Sequence, residues 1–89
     1  MILKVFSVYD SKVEAYLQPF FVPTVGAAIR AIMDAMSDPG HTFSKYKQDY
    51  TLFQIGEYND HTGQIEADEA FVNIGNLSQL YQTERGLEE

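Results

Sequence analysis

The chain has no cysteine among its 89 residues. Disulfide staples, thiolate zinc sites and cysteine nucleophiles are therefore excluded. Small secreted domains usually need such staples, so a reducing cytoplasm is the expected compartment. Tryptophan is also absent, and proline occurs only three times. No window approaches eighteen consecutive apolar residues, so no membrane-spanning helix and no membrane partner is expected. MILKVFSVYD has neither a long apolar run nor a small-residue cleavage site, and is not expected to be a signal peptide. Neither GxGxxG nor GxxxxGK occurs, so no phosphate-cradling loop is expected.

Basic residues are scarce: six Lys and Arg face thirteen Asp and Glu, a net charge of −7. Residues 1–56 hold five acids and five bases, whereas residues 57–89 hold eight acids and only Arg85. The whole excess lies in the last third. Such a field repels nucleic-acid phosphates at long range and suits a basic partner. It is equally the pattern of a solvated, soluble surface.

What is present points to one small domain. Apolar residues make up 45% of the chain, and six Phe and six Tyr supply much of the area that can be buried. A chain of this length buries about 60–65% of its unfolded surface, a thin margin for stability. Ile2–Tyr9 is rich in β-branched and aromatic residues and reads as a strand. Glu14–Val22 reads as one extended stretch at a sheet edge, because Pro19 cannot donate to a ladder. Thr24 is the expected N-cap of a helix over Val25–Met36, with Val25, Ile29, Ile32 and Met36 on its core face. His41–Asp49 reads as a loop with about one helical turn.

Tyr50–Tyr58 is the clearest strand, and Asn59–Gly63 is a hairpin loop with Gly63 available for positive φ. Gln64–Ala67 and Ala70–Ile74 read as two further strands separated by a break or bulge at Asp68–Glu69. Asn76 caps a short helix over Leu77–Thr83. The expected fold is α+β: a single antiparallel β-sheet, one main helix packed on one face and a short C-terminal helix. Residues 1–83 form the domain and 84–89 a frayed acidic tail. One helix cannot cover both faces of such a sheet. Phe20, Phe21 and Phe43 are then available for a self-association surface, and a homodimer is expected.

No catalytic grouping emerges, and no enzyme activity, cofactor or metal is expected. His41 and His61 both fall in predicted loops, too few for a metal site. Asp68 and Glu69 are adjacent, so on a strand they point to opposite faces rather than across one substrate. Phe43–Tyr50 interleaves lysines with rings, as single-stranded nucleic-acid binders do. An ordinary loop with solvated lysines fits the same residues and is favoured, since two lysines release few counterions. If DNA is touched, Lys45, Tyr46 and Lys47 are the expected contacts, with Lys12 and Lys4 secondary. The alternative is an acidic module that binds a basic protein through Glu57, Asp60, Glu66, Asp68 and Glu69.

Several segments together carry a family likeness: VYDSK (Val8–Lys12), PFFVPT (Pro19–Thr24) before an alanine-rich helix, DPGHTFSKYKQDYTLFQIGEY (Asp38–Tyr58) and NIGN (Asn73–Asn76). In this order and spacing the chain resembles the small nonstructural protein of gokushoviruses, single-stranded DNA bacteriophages of the Microviridae. The resemblance implies a protein made in the cytoplasm of the infected bacterium and absent from the mature capsid. It implies a role in single-stranded DNA replication and packaging, alongside viral replication and packaging proteins or a host protein, and suggests DNA binding. It brings no catalytic residues with it.

Overall fold

The computed structural model describes residues 1–88. The chain forms β1 (Ile2–Asp10), β2 (Ala15–Tyr16), β3 (Phe20–Val22), α1 (Val25–Met36), α2 (Thr42–Lys45), a 3-10 turn (Lys47–Asp49), β4 (Tyr50–Asn59), β5 (Gln64–Asn76) and α3 (Leu77–Glu88). All strand pairings are antiparallel, in one curled five-stranded sheet. β1 pairs with β4 and β4 with β5, while β2 and β3 share the outer edge of β1.

The expected α+β class with an antiparallel sheet is the observed one, and the details differ in three places. The stretch Glu14–Val22 is two short strands rather than one. Leu17 lies between them, its amide donating to the Val8 carbonyl (2.8 Å) and its carbonyl accepting from the Ser7 hydroxyl (2.7 Å). That bond satisfies the one buried polar side chain among the described residues. Second, Gln64–Ala67 and Ala70–Ile74 are the two ends of one strand, β5. The expected irregularity at Asp68–Glu69 is present within it. Ala67 lies opposite Gly56 and Val72 opposite Gln54, so residues 68, 69, 70 and 71 face only Ile55. Third, the C-terminal helix is not short: α1 and α3 have 12 residues each. Good helix formers after Thr83 extend it through Gly86, whose cost is about 1 kcal/mol. Glu89 of the expected tail lies outside the described residues.

Local chemistry accounts for the element ends. Thr24 has extended backbone, and its Oγ1 accepts from the Ala27 amide at 3.0 Å, the expected N-cap. His41 is a cap as well: its Nδ1 accepts from the Phe43 amide at 3.0 Å. Its ring is half-buried and lies 4.6 Å from the Phe43 ring. In the hairpin, Asn59 Oδ1 accepts from the amides of His61 and Thr62, and Gly63 takes φ +78°.

Helix-facing side chains form the core. Phe6, Val8 and Leu52 of the sheet meet Ala28, Ile32 and Met36 of α1, Phe43 of α2, and Leu77 and Leu80 of α3. The buried stripe of α1 is rotated from the expected one: Ala28 is fully buried, and Val25 and Ile29 pack at its margin. Alanine at that position lets α1 approach closely. Phe43 is buried and Phe20 stacks on Phe6 at 5.8 Å, so neither is available for self-association; of the three, only Phe21 is exposed.

Register shifts on both sides of β4 meet at Ile55, between Val5 and Phe6 on one side and at the β5 irregularity on the other. Gly56 follows, and a Cβ there would lie 2.4 Å from the Glu66 carbonyl oxygen. Gly56→Ala is therefore expected to destabilise the fold by about 1–3 kcal/mol through backbone displacement. Phe6→Ala, at a fully buried ring, is expected to cost about 3–5 kcal/mol. Urea denaturation of both variants measures these losses.

Candidate nucleic-acid interface

Four of the five residues expected to touch DNA come together at one corner, and the fifth does not. Lys45 ends α2, and Tyr46 and Lys47 follow it into the 3-10 turn. One shallow groove is lined by Lys45, Tyr46, Lys47, Asp49 and Ser78, among others. A second is lined by Asp10, Lys12, Tyr46, Asp49 and Tyr50, so Tyr46 and Asp49 border both. Lys4 lies near the other end of β1, opposite Val22 on β3 and Glu57 on β4.

The corner is tied together by backbone acceptors. The Ser11 amide and hydroxyl both donate to the Asp49 carbonyl, at 2.9 and 3.0 Å, joining the β1–β2 turn to the 3-10 turn. Asn76 Nδ2 donates to the Gln48 carbonyl at 2.9 Å from the other side. Lys47 is half-buried: its Nζ donates to the Ser44 carbonyl at 2.8 Å and sits 4.6 Å from the centre of the Tyr81 ring. These contacts hold the loop to α3. Lys12 and Lys45 are exposed, as is Tyr46 at 55%. Asp10 and Asp49 line the Lys12 groove and offset part of its positive potential.

A second surface was not among the expected contacts. Alternation along the strands puts Val5, Ser7 and Tyr9 of β1, and Thr51 and Phe53 of β4, on the sheet face opposite Phe6, Val8 and Leu52. Tyr16 is the hub there, with its ring centroid 4.9 Å from Tyr9, 5.9 Å from Phe53 and 5.8 Å from Phe71. Tyr16 is 46% exposed and Phe71 44%. Farther along, Phe21 meets Tyr58 edge-on at 5.5 Å. Strand parity in β1 and β4 signals Tyr9 and Phe53. Tyr16 and Phe71 join them only through pairings that sequence periodicity does not reveal.

The acidic candidates do not converge. Lys4, Glu57 and Glu66 form a cross-strand row, with Glu57 directly opposite Glu66. By strand parity this row shares the face of Phe6, away from the rings. Asp68 Oδ2 accepts from Gln54 Nε2 at 3.3 Å, and Glu69 is exposed beside it. Asp60, in the hairpin, is paired with the Met1 amino group at 2.7 Å. Among the described residues, no group of three His, Asp or Glu side chains is placed to hold a metal ion. No helix among them is long and apolar enough to cross a membrane.

The two lysines of the loop should separate in stability measurements. Lys47→Ala is expected to lower stability by about 0.5–1 kcal/mol, the scale of an exposed cation–π contact. Lys45→Ala is expected to stay within about 0.5 kcal/mol of the parent chain. Thermal melts of both variants check the difference.

Comparison with curated proteins and with solved structures gives no match. A family model described as phage ORF5 protein matches residues 3–80, from β1 into α3, and so covers the ring face, the lysine corner and the acidic residues from Glu57 to Glu69. The chain therefore belongs to the phage ORF5 protein family.

Proposed function

We propose that this phage protein is a non-enzymatic accessory factor in the replication and packaging of single-stranded viral DNA, acting in the cytoplasm of the infected bacterium. The gokushovirus resemblance supplies the setting. One observation carries the contact: the helix-free sheet face presents linked rings, Phe71, Tyr16 and Tyr9, that lead to the lysine corner. Tyr9 and Tyr16 are paired across the β1–β2 turn that carries Lys12, and Lys12 shares its groove with Tyr46. Single-stranded binders use this combination, bases on rings and phosphates on neighbouring cations, with about 1–3 kcal/mol per stacked base. Glu57 and Glu66 lie on the other face by strand parity, which keeps that row away from the strand.

The electrostatic share is small. With Lys12 and Lys45 as the exposed cations, the logarithm of affinity should fall against the logarithm of salt with a slope of about −1.4, from about −0.7 per neutralised phosphate. Rings carry the rest. Fluorescence anisotropy with a labelled oligothymidylate at about 50 and 200 mM salt measures that slope. Tyr16→Ala and Phe71→Ala are each expected to weaken binding by about tenfold, and Arg30→Ala on α1 to leave it unchanged. No affinity at low salt would reject the DNA contact. If sedimentation then shows a dimer that Tyr16→Ala dissociates, the ring face belongs to a second copy.

A second reading has its own support. The acids Glu66, Asp68 and Glu69 lie along β5, the strand at the open end of the sheet order, and suit a basic protein rather than DNA.

A further inference from the structure

Strand β5 is the sheet's longest, with 13 residues, and pairs on one side only among the described residues. The other edge is covered differently: β2 and β3 both lie along β1. An open edge carries a row of backbone donors and acceptors that accept a further strand, and natural sheets guard such edges with charge, bulges or proline. β5 has the charges and the bulge. Glu66, Asp68 and Glu69 lie along it, and residues 68–71 break its ladder with β4. It also keeps exposed apolar side chains: Ile65, Phe71 and Val72.

These features choose an occupant. A second copy in antiparallel register about Asp68–Glu69 would bring acid against acid, and like charges directly opposite are destabilising. Glu66 already faces Glu57 across β4, and Lys4 is the only basic residue in that row. A strand with alternating basic and apolar residues meets the edge without that penalty. Its lysines or arginines complement Glu66 and Asp68 on one face, its apolar side chains rest on Ile65 and Phe71 on the other, and its backbone extends the ladder.

We infer that the free edge of β5 captures an extended basic segment of another protein by strand addition. This rests on the second reading above, capture of a basic protein, and shares only Phe71 with the ring face. It adds the location, the backbone geometry and the sequence character of the bound segment.

The test uses the intact chain and a short synthetic peptide alternating lysine with valine. Hydrogen exchange followed by NMR reads the amides of residues 64–76 with and without it. Expected are tenfold or greater slowing of alternate β5 amides, and at least tenfold weaker binding when the peptide's own alternate amides are N-methylated. Methylation keeps every charge, so its effect reports the ladder. The pair Glu66→Lys with Asp68→Lys is expected to abolish capture, and circular dichroism confirms that the variant is folded. Binding indifferent to N-methylation overturns strand addition and leaves the basic-protein reading standing. No binding at low salt overturns both. Protection of β5 that rises with protein concentration in the absence of peptide assigns the edge to a second copy and overturns the inference.

Discussion

The close approach of β5 to Gly56 is the constraint on which the rest of the sheet depends. At that point the Glu66 carbonyl occupies the space where any side chain would begin. One residue earlier, Ile55 is the extra residue of β4 against β1 and the lone counterpart of residues 68–71 on β5. Irregularities of this kind raise local twist and bend the strands that carry them. They also divide the long strands into two zones. Thr51–Gln54 supports Phe53 and the rings around Tyr16, whereas Gly56–Asn59 carries Glu57 opposite Glu66. Chemical specialisation of the two ends is thus a result of backbone geometry.

The two faces of the sheet are used unequally. Three helices draw Phe6, Val8 and Leu52 into one core, and Ala28 lets α1 sit close. The opposite face has rings in contact with one another and no helix to cover them. In an 89-residue chain with a thin stability margin, leaving rings such as Tyr16 and Phe71 partly in water forgoes burial the fold could use. Exposed apolar patches of this kind commonly mark interaction surfaces, which is the ground for the binding role proposed for this face. Charge follows the same division, with Glu57 and Glu66 on the helix-facing side by strand parity.

Local signals were legible where one residue's chemistry decides the outcome. Thr24 as a cap, Gly63 at positive φ and the irregularity at Asp68–Glu69 follow from the sequence and are found in place. The position of Lys12 beside Tyr46 was less accessible. It depends on Ser11 donating to a backbone carbonyl 38 positions away, a contact with no periodic signature. Phe43 was misplaced for a related reason. A ring in a segment without periodicity reads as surface, yet His41 caps α2 and turns Phe43 into the core against Tyr50 at 4.9 Å. Lys47 shows the limit of counting charges: its sequence neighbours suggest a phosphate ligand, while its geometry makes it a brace to Tyr81.

That brace has a further meaning. The segment around Tyr46 is moored to the β1–β2 turn by Ser11, to the start of α3 by Asn76, and to Tyr81 by Lys47. A loop anchored at three points has surrendered its conformational freedom during folding. A guest that settles on Tyr46 meets a seat already shaped and loses little entropy in the protein on arrival. The same moorings make the seat a lever: a guest that drew Lys47 away would release its hold on α3, so occupancy at this corner would be felt at the chain's last helix.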